Sequence, residues 1–181
     1  MEVFCKNLES KKETIKTIIL RENRIAEKEI QILFEYLKNS KHQLHTLEIN
    51  NNKLNELSSI KMIVEYMKQD STLKTLSLKS NQITPEGFNC LFEFLELNTA
   101  LKELDLTSND FQQNSAKSIS NVLSLNKTLN SLILCSNQLK IDQITPFSNF
   151  LDVNTSITSL NLGQNLLYDE GILFRLYFNL F

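Results

Sequence analysis

One eleven-residue pattern recurs six times along the 181-residue chain and constrains its fold more than any other feature. Its clearest copy runs from Leu73 to Ile83, LKTLSLKSNQI, in which apolar residues and Asn81 hold fixed positions. The copies begin at positions 15, 44, 73, 101, 129 and 157, so the steps between them are 29, 29, 28, 28 and 28 residues. Such periodicity indicates stacked repeats, because one unit can bury its apolar face only against its neighbours.

Each copy divides into a short strand and a helix. In the third copy, residues 76–78 alternate apolar and polar side chains, which predicts a strand. Thr84 and Pro85 then supply an N-cap and a proline at the first helical position, and apolar residues follow at helical spacing. Strands that are joined through helices by short connections predict a parallel sheet covered by helices.

The spelling Leu-x-x-Leu-x-Leu-x-x-Asn resembles the leucine-rich repeat family. The alternation of 28 and 29 residues, with phrases such as LNTALKELDLTSND and TPEGFNCLFEFL, is similar to the ribonuclease-inhibitor type. The resemblance extends from Ile15 onward and implies an α/β solenoid of about six repeats. It implies a curved horseshoe with a parallel sheet on its concave face and helices on its convex face. It also implies that the concave face binds another protein.

The pattern predicts one leucine-rich repeat domain over residues 1–181. Residues 1–14 are expected to form a helical N-terminal cap, residues 15–167 six strand-bearing repeats, and residues 168–181 a C-terminal capping helix. The last segment departs from the repeat, since apolar residues fill positions out of register there. We expect a monomer, and two alternatives stay open: association through the apolar C-terminal helix, or a fragment of a larger receptor-like repeat array.

Composition narrows the possible partners and compartments. A net charge of −2 with both signs interspersed gives no field that attracts nucleic acid or an anionic membrane. Apolar runs stay short of the about 18 residues of a membrane span, and the first residues do not form a secretory signal. Three cysteines without a Cys-x-x-Cys spacing predict free thiols in the cytoplasm. Export into a host cell by a route without an N-terminal signal stays open.

Enzymatic and metal chemistry find little support in the sequence. We find no glycine-rich phosphate loop, no Gly-x-Ser-x-Gly and no His-Glu-x-x-His. His42 and His45 lie three residues apart, but zinc usually needs three or four converging ligands. Thr107 and Gly163, the counterparts of Cys135 in the neighbouring repeats, cannot serve as its base. The sequence therefore predicts a protein that is not an enzyme and holds no catalytic residue, cofactor or metal.

One asparagine recurs where each chain leaves its strand. Its amide both donates and accepts hydrogen bonds, so a ladder of such residues can satisfy buried backbone groups. The predicted structural ladder consists of Asn23, Asn52, Asn81, Asn109, Asn137 and Asn165.

The side chains between the motif leucines should line the concave face, because strand side chains alternate. They vary between repeats, and apolar Ile19 and Ile133 are expected to be exposed among them. No aromatic residue lies in the central columns, which argues against stacking on nucleic acid. The predicted partner-binding residues are Arg21, Glu48, Asn50, Ser77, Lys79, Glu103, Asp105, Thr107, Ile133, Cys135 and Asn161.

These features predict a non-enzymatic protein-protein interaction module, acting as an inhibitor or regulator of its partner. Two alternatives stay open beside it. One is a GTPase-activating type of regulator, which would offer Arg24 or Asn52 to the nucleotide site. The other treats the polar columns as an ordinary solvated face.

Overall fold

The computed structural model describes residues 1–8, 15–39, 43–69, 72–111, 116–140, 142 and 149–167. Six strands and five helices alternate through most of this length. The strands are β1 (Thr17–Ile19), β2 (Thr46–Glu48), β3 (Thr75–Ser77), β4 (Glu103–Asp105), β5 (Ser131–Ile133) and β6 (Ser159–Asn161). The helices are α1 (Glu2–Leu8), α2 (Glu27–Asn39), α3 (Leu57–Gln69), α4 (Pro85–Leu97) and α5 (Ala116–Leu125).

The strands form one parallel sheet in sequence order, β1-β2-β3-β4-β5-β6. Equivalent positions of neighbouring repeats pair, as in Leu47 with Leu76 and Leu76 with Leu104. The strand expected at residues 76–78 lies one residue earlier, at Thr75–Ser77. Backbone hydrogen bonding between neighbouring repeats continues beyond Ser77, since Leu78 N–H donates to Asp105 O at 2.9 Å. The predicted α/β leucine-rich repeat solenoid is confirmed.

The core lies between the sheet and the helices. The middle residue of every strand is buried against the helices, while its neighbours in the strand point to the opposite, concave face. Consecutive helices pack side by side from α1 to α5. Aromatic rings join adjacent repeats, as in Phe88 and Phe111, whose centroids lie 4.9 Å apart. Each fully buried large side chain contributes about 1.5–3 kcal/mol, so stability accumulates along the stack.

The start of α4 shows how closely a helix approaches the loop before it. Thr84 is the N-cap, with its Oγ1 accepting from Gly87 N–H at 3.4 Å, and Pro85 follows at the first turn. A Cβ on Gly87 would lie 2.7 Å from Cγ2 of the buried Ile83. Glycine is therefore required here for packing, although it is a poor helix former.

A left-handed residue precedes each ladder asparagine, and none of these residues is glycine. Their φ values lie between 53° and 60°, at Glu22, Asn51, Ser80, Ser108, Ser136 and Gln164. This conformation costs about 1 kcal/mol for a residue with a side chain. Hydrogen bonds to the next repeat offset the cost: the N–H of Ser80 donates to Thr107 O at 2.8 Å, and Ser108 does likewise to Cys135 O.

The N-terminal helix α1 buries Cys5 and Leu8 and packs against α2. None of the helices in the described ranges is long and apolar enough to cross a membrane. Three features of the sequence analysis lie outside the described residues: segment 9–14 of the expected N-terminal cap, His42, and the expected C-terminal capping helix at 168–181.

Candidate partner-binding face

The recurring asparagines hold the turns after the strands through their amides. Asn81 is fully buried, and its Nδ2 donates to the carbonyl oxygens of Ile49, Leu78 and Lys79 at 2.8, 3.0 and 3.2 Å. Its Oδ1 accepts from Asn52 N–H at 3.1 Å. The amide is therefore buried and bonded within the protein, out of reach of a partner.

The same bonds recur at the other interior copies, Asn52, Asn109, Asn137 and Asn165. Asn23 differs because it belongs to the first repeat. Its side chain is exposed and donates to Arg21 O at 2.7 Å.

A second asparagine series, which the sequence analysis did not single out, lies after the helices. Its members are Asn98, Asn126 and Asn154, 28 residues apart. The Oδ1 of Asn126 accepts from Thr128 N–H and Leu129 N–H at 3.0 and 2.8 Å, and its Nδ2 donates to Leu95 O at 2.6 Å. These amides position the backbone that leads into the following strand. The recurring spelling Leu-Asn or Val-Asn at this spacing was the signal that could have identified them.

The concave face carries a groove of about 400 Å³ over the middle strands. Predicted contact residues that line it are Arg21, Glu48, Asn50, Ser77, Lys79, Glu103, Asp105 and Ile133. Three further predicted residues, Thr107, Cys135 and Asn161, belong to the same face but not to the groove lining. Ile19 is 53% exposed at the β1 end of this face, and Ile133 is half-buried.

Two of the predicted contact residues lie below the exposed surface. Asn50 and Ser77 are each only 7% exposed. Asn50 Oδ1 accepts from Ser77 Oγ at 2.7 Å and from Lys79 N–H at 3.0 Å. These bonds across neighbouring repeats draw both side chains onto the sheet, in the floor of the groove.

An ion pair occupies the β1–β2 end of the groove. Arg21 Nε donates to Glu48 Oε2 at 2.7 Å, and Arg21 Nη2 contacts the same oxygen. Asn50 Nδ2 also donates to it, at 3.4 Å. Exposed pairs of this kind contribute about 0–1 kcal/mol to stability, so the main effect is to neutralise both charges.

The β4–β5 part of the groove is acidic and apolar. Asp105 Oδ1 accepts from the N–H and the hydroxyl of Thr107 at 2.9 and 2.6 Å, which orients the carboxylate. Glu103 is exposed and accepts from Thr75 Oγ1 at 3.4 Å. Within the described ranges, neither carboxylate forms an ion pair. Ile133 pairs in register with Asp105 and places an apolar side chain beside it.

Comparisons with known proteins agree with this architecture. A sequence model of the leucine-rich repeat family matches residues 69–91, 97–120 and 153–173. The chain is a leucine-rich repeat protein. No curated protein sequence matches this leucine-rich repeat protein.

Solved structures resemble this leucine-rich repeat protein over almost its whole length. One is described as leiomodin-1 actin-binding site 2; it is 18% identical, with a TM-score of 0.67 over 96% of this chain and 92% of that one. Another is the tropomodulin C-terminal domain of Caenorhabditis elegans, also 18% identical, with a TM-score of 0.64 over 97% and 98%. At this level of identity the likeness concerns the fold.

The thiols of the leucine-rich repeat protein are free at Cys5, Cys90 and Cys135. Burial raises the pKa of Cys5 and of Cys90, so both favour the protonated form. Cys135 lies on the concave face, where its Sγ contacts Asn161 O at 3.9 Å. In the part of the chain that the structure describes, no group of three or more metal-ligating side chains is close enough to hold a metal ion.

The two residues considered for a GTPase regulator have different surroundings. Arg24 is exposed and left-handed, with φ of 54°. Asn52 is buried, and its amide is used by Asn23, Ile25 and backbone carbonyls. Asn52 therefore cannot reach a nucleotide site without breaking the ladder.

The convex side carries a second groove, of about 710 Å³, between α3 and α4. Cys90, Phe94 and Leu97 contribute to its lining. Leu97 is 85% exposed, and its counterparts one and two repeats later, Leu125 and Val153, are 59% and 54% exposed. Sequence reasoning centred on the strands missed this apolar edge, although its 28-residue spacing is visible in the sequence.

Proposed function

We propose that this leucine-rich repeat protein is a non-enzymatic interaction module that binds a partner protein in its concave groove and thereby inhibits or regulates it. The groove on the concave face carries the proposal, because it combines oriented charges with one half-buried apolar side chain, Ile133. Interfaces place such apolar anchors at their centre and polar groups around them. The buried leucines and asparagines maintain the fold, and the variable side chains of the groove are free to determine specificity.

The proposed role of each residue of the concave face depends on how exposed its side chain is. We assign direct contact to the exposed or half-buried side chains of the groove, namely Arg21, Glu48, Lys79, Glu103, Asp105 and Ile133. Asn50 and Ser77 support them from below through hydrogen bonds. Thr107, Cys135 and Asn161 extend the same surface towards β6.

Affinity capture followed by mass spectrometry tests this proposal. The chain is compared with a double variant, Glu103→Lys with Asp105→Lys, which reverses two charges in the groove. A matched control, Glu93→Lys with Glu96→Lys, makes the same change in net charge at exposed positions of α4. We expect the same proteins to be captured by the wild type and the control and to be lost with the groove variant.

The opposite results would contradict the proposal. Capture that survives the groove variant means that binding does not use this part of the concave face. Loss with the α4 control alone would place binding on the convex side. Circular dichroism of each variant confirms that the fold is retained before capture is scored.

Actin is the first partner to test, since the leiomodin-1 region that shares this fold is described as an actin-binding site. Cosedimentation with actin filaments and gel filtration with monomeric actin measure binding directly. We expect binding to depend on the groove and to weaken with the Glu103→Lys, Asp105→Lys variant. Binding that is absent from both forms of actin would exclude actin as the partner while leaving the groove proposal to the capture experiment.

We also infer a cytoplasmic location, supported by the free cysteines, and membership of the ribonuclease-inhibitor-like subclass, supported by the 28- and 29-residue repeats with 13-residue helices. The proposed organisation is one repeat domain with a helical cap at each end. The packing of α1 against α2 supports the N-terminal cap.

A further inference from the structure

In the floor of the concave groove, hydrogen bonds from both neighbouring strands converge on residues of β2 and the turn after it. Arg21 donates to Glu48, Asn50 Nδ2 donates to the same carboxylate, and Ser77 Oγ donates to Asn50 Oδ1. Lys79 N–H also donates to Asn50 Oδ1, which fixes the orientation of that amide, because a backbone N–H requires an acceptor. On the β3 side, the Ser77 hydroxyl and the Lys79 N–H therefore both donate towards Asn50 and away from Asp105 on β4.

This direction leaves an acceptor open on β4. Ser77 Oγ lies 2.7 Å from Asn50 Oδ1 and 3.4 Å from Asp105 Oδ2, but a hydroxyl has one hydrogen to donate. The shorter contact takes that hydrogen. Thr107 provides two donors to Asp105 Oδ1 and holds the carboxylate still. Asp105 Oδ2 is thus an oriented acceptor that faces the groove and has capacity for a further donor.

The charges around Asp105 determine which kind of hydrogen-bond donor a partner can place there. Glu103 lies two residues earlier on the same face, about 7 Å away along the strand. The charged residues lining the groove are the acids Glu22, Glu48, Glu103 and Asp105 and the bases Arg21 and Lys79. Arg21 is already paired with Glu48, and Lys79 is exposed beyond the end of β3. The β4 end therefore has an excess of negative charge that a cation would complement.

An apolar wall adjoins the two carboxylates. Ile133 pairs directly with Asp105 across β4 and β5, and it is half-buried. Ser131, its neighbour on the same face, pairs with Glu103 and is small. A side chain that enters between the carboxylates can therefore have an apolar neighbour packed on Ile133.

We propose that the β4–β5 part of the groove binds a protein segment that presents an arginine or lysine to Asp105 and Glu103, next to an aliphatic or aromatic residue that packs on Ile133. Arginine fits best, because its planar fork can donate to a fixed carboxylate through two bonds. This inference rests on the proposed function and specifies the chemistry of the partner. It excludes a segment whose central contact is acidic.

A phage-displayed library of random peptides, selected on the whole chain, tests this specificity. We expect the enriched peptides to carry arginine or lysine beside an apolar residue. Their binding should fall roughly 10- to 100-fold in the Glu103→Gln, Asp105→Asn variant. The Ile133→Ser variant should weaken them as well. The matched controls are Glu93→Gln with Glu96→Gln, and Leu97→Ser, an exposed apolar position at the helix edge; both should bind as the wild type does.

The outcomes separate this inference from the function on which it rests. Enriched peptides without a basic residue, which still require Ile133, would overturn the basic-partner inference and leave the concave face as the binding surface. Peptides insensitive to every groove variant would overturn both. A selection that enriches no sequence would overturn the inference that this site accepts a linear basic segment. Loss of binding at high salt is expected with the wild type, because the contact is ionic and partly exposed.

Discussion

At the scale of single residues, Asn81 stabilises the fold more than its polar side chain suggests. Its amide supplies hydrogen bonds to backbone groups of two repeats that have no access to water. A buried backbone group that loses its partner costs about 1–3 kcal/mol. The ladder therefore acts on stability, whereas the neighbouring polar positions of the strands are the ones that we propose for partner recognition.

Asn81→Ala should lower the free energy of unfolding by about 3 kcal/mol, because it leaves the N–H of Asn52 without an acceptor and removes three donated bonds. Asn23→Ala is the matched comparison in the first repeat, where one exposed bond is lost, and it should cost less than about 1 kcal/mol. Urea unfolding followed by circular dichroism measures both. Equal decreases in the free energy of unfolding of the two variants would show that the burial of a ladder asparagine does not determine how much it stabilises the fold.

The sequence predicted the ladder positions, since the pattern repeats them, but the burial of Asn50 and Ser77 was beyond it. That burial depends on one bond between residues 27 positions apart, and no spacing rule distinguishes it from two exposed polar side chains. The left-handed residues before the ladder asparagines could not be predicted from the sequence either. Serine, glutamine and glutamate occupy five of the six positions before the ladder asparagines, and these residue types do not indicate a positive φ as glycine does; only Asn51 is of a type that adopts this conformation more readily.

At the scale of elements, the beginning of α4 is the best-defined boundary. Thr84 and Pro85 were predicted from the sequence as a helix start, and the structure begins α4 at Pro85, with the acidic Glu86 in its first turn. Hydrogen bonds from its own N–H and from the Thr84 hydroxyl lower the pKa of the Glu86 carboxyl. The strand of the third copy was predicted to within one residue from its short alternation of apolar and polar side chains. The exposure of the apolar edge could not be predicted without knowing where each helix ends; this edge consists of Leu97, Leu125 and Val153.

Thr84→Ala should destabilise the protein by about 1 kcal/mol through loss of the N-cap. It should also raise the pKa of Glu86 towards its ordinary value. A lowered pKa in the folded state stabilises the protein above the pKa of the unfolded chain, and this contribution disappears as the pH falls through the folded value. When the pH is lowered, the free energy of unfolding that is lost through protonation of Glu86 should therefore be smaller in the variant than in the wild type.

NMR titration of Glu86 and urea unfolding at neutral and acidic pH measure the two effects. Thr99→Ala, at an exposed threonine in the loop after α4, serves as the control and should change neither. If the pKa of Glu86 stays low without the Thr84 hydroxyl, its own backbone N–H alone accounts for the shift.

At the scale of the whole molecule, six strands in register place the variable side chains on one face and the apolar ones on the other. This separation follows from the 28- and 29-residue steps, which return each strand to the same position in the sheet. The sequence therefore predicted the architecture and the face that carries the groove. The chemistry that we propose for the partner could be inferred only from the structure, because the open acceptor at Asp105 depends on the Ser77 hydroxyl donating to Asn50 Oδ1 and not to Asp105 Oδ2.

Two native thiols provide the most direct test that the concave face binds the partner. Cys135 is half-buried on the concave face, and Cys90 is half-buried in the groove between α3 and α4 on the convex side. The alkylation rate of each thiol by iodoacetamide can be followed by mass spectrometry, with and without saturating captured partner. Burial raises the pKa of Cys90 and slows its alkylation. The rate of each thiol with the partner is therefore divided by its own rate without the partner, so that the intrinsic reactivities of Cys90 and Cys135 cancel.

We predict that the bound partner slows the alkylation of Cys135 and leaves the rate of Cys90 unchanged. Slower alkylation of Cys90 with an unchanged rate at Cys135 would contradict the account and assign binding to the convex side.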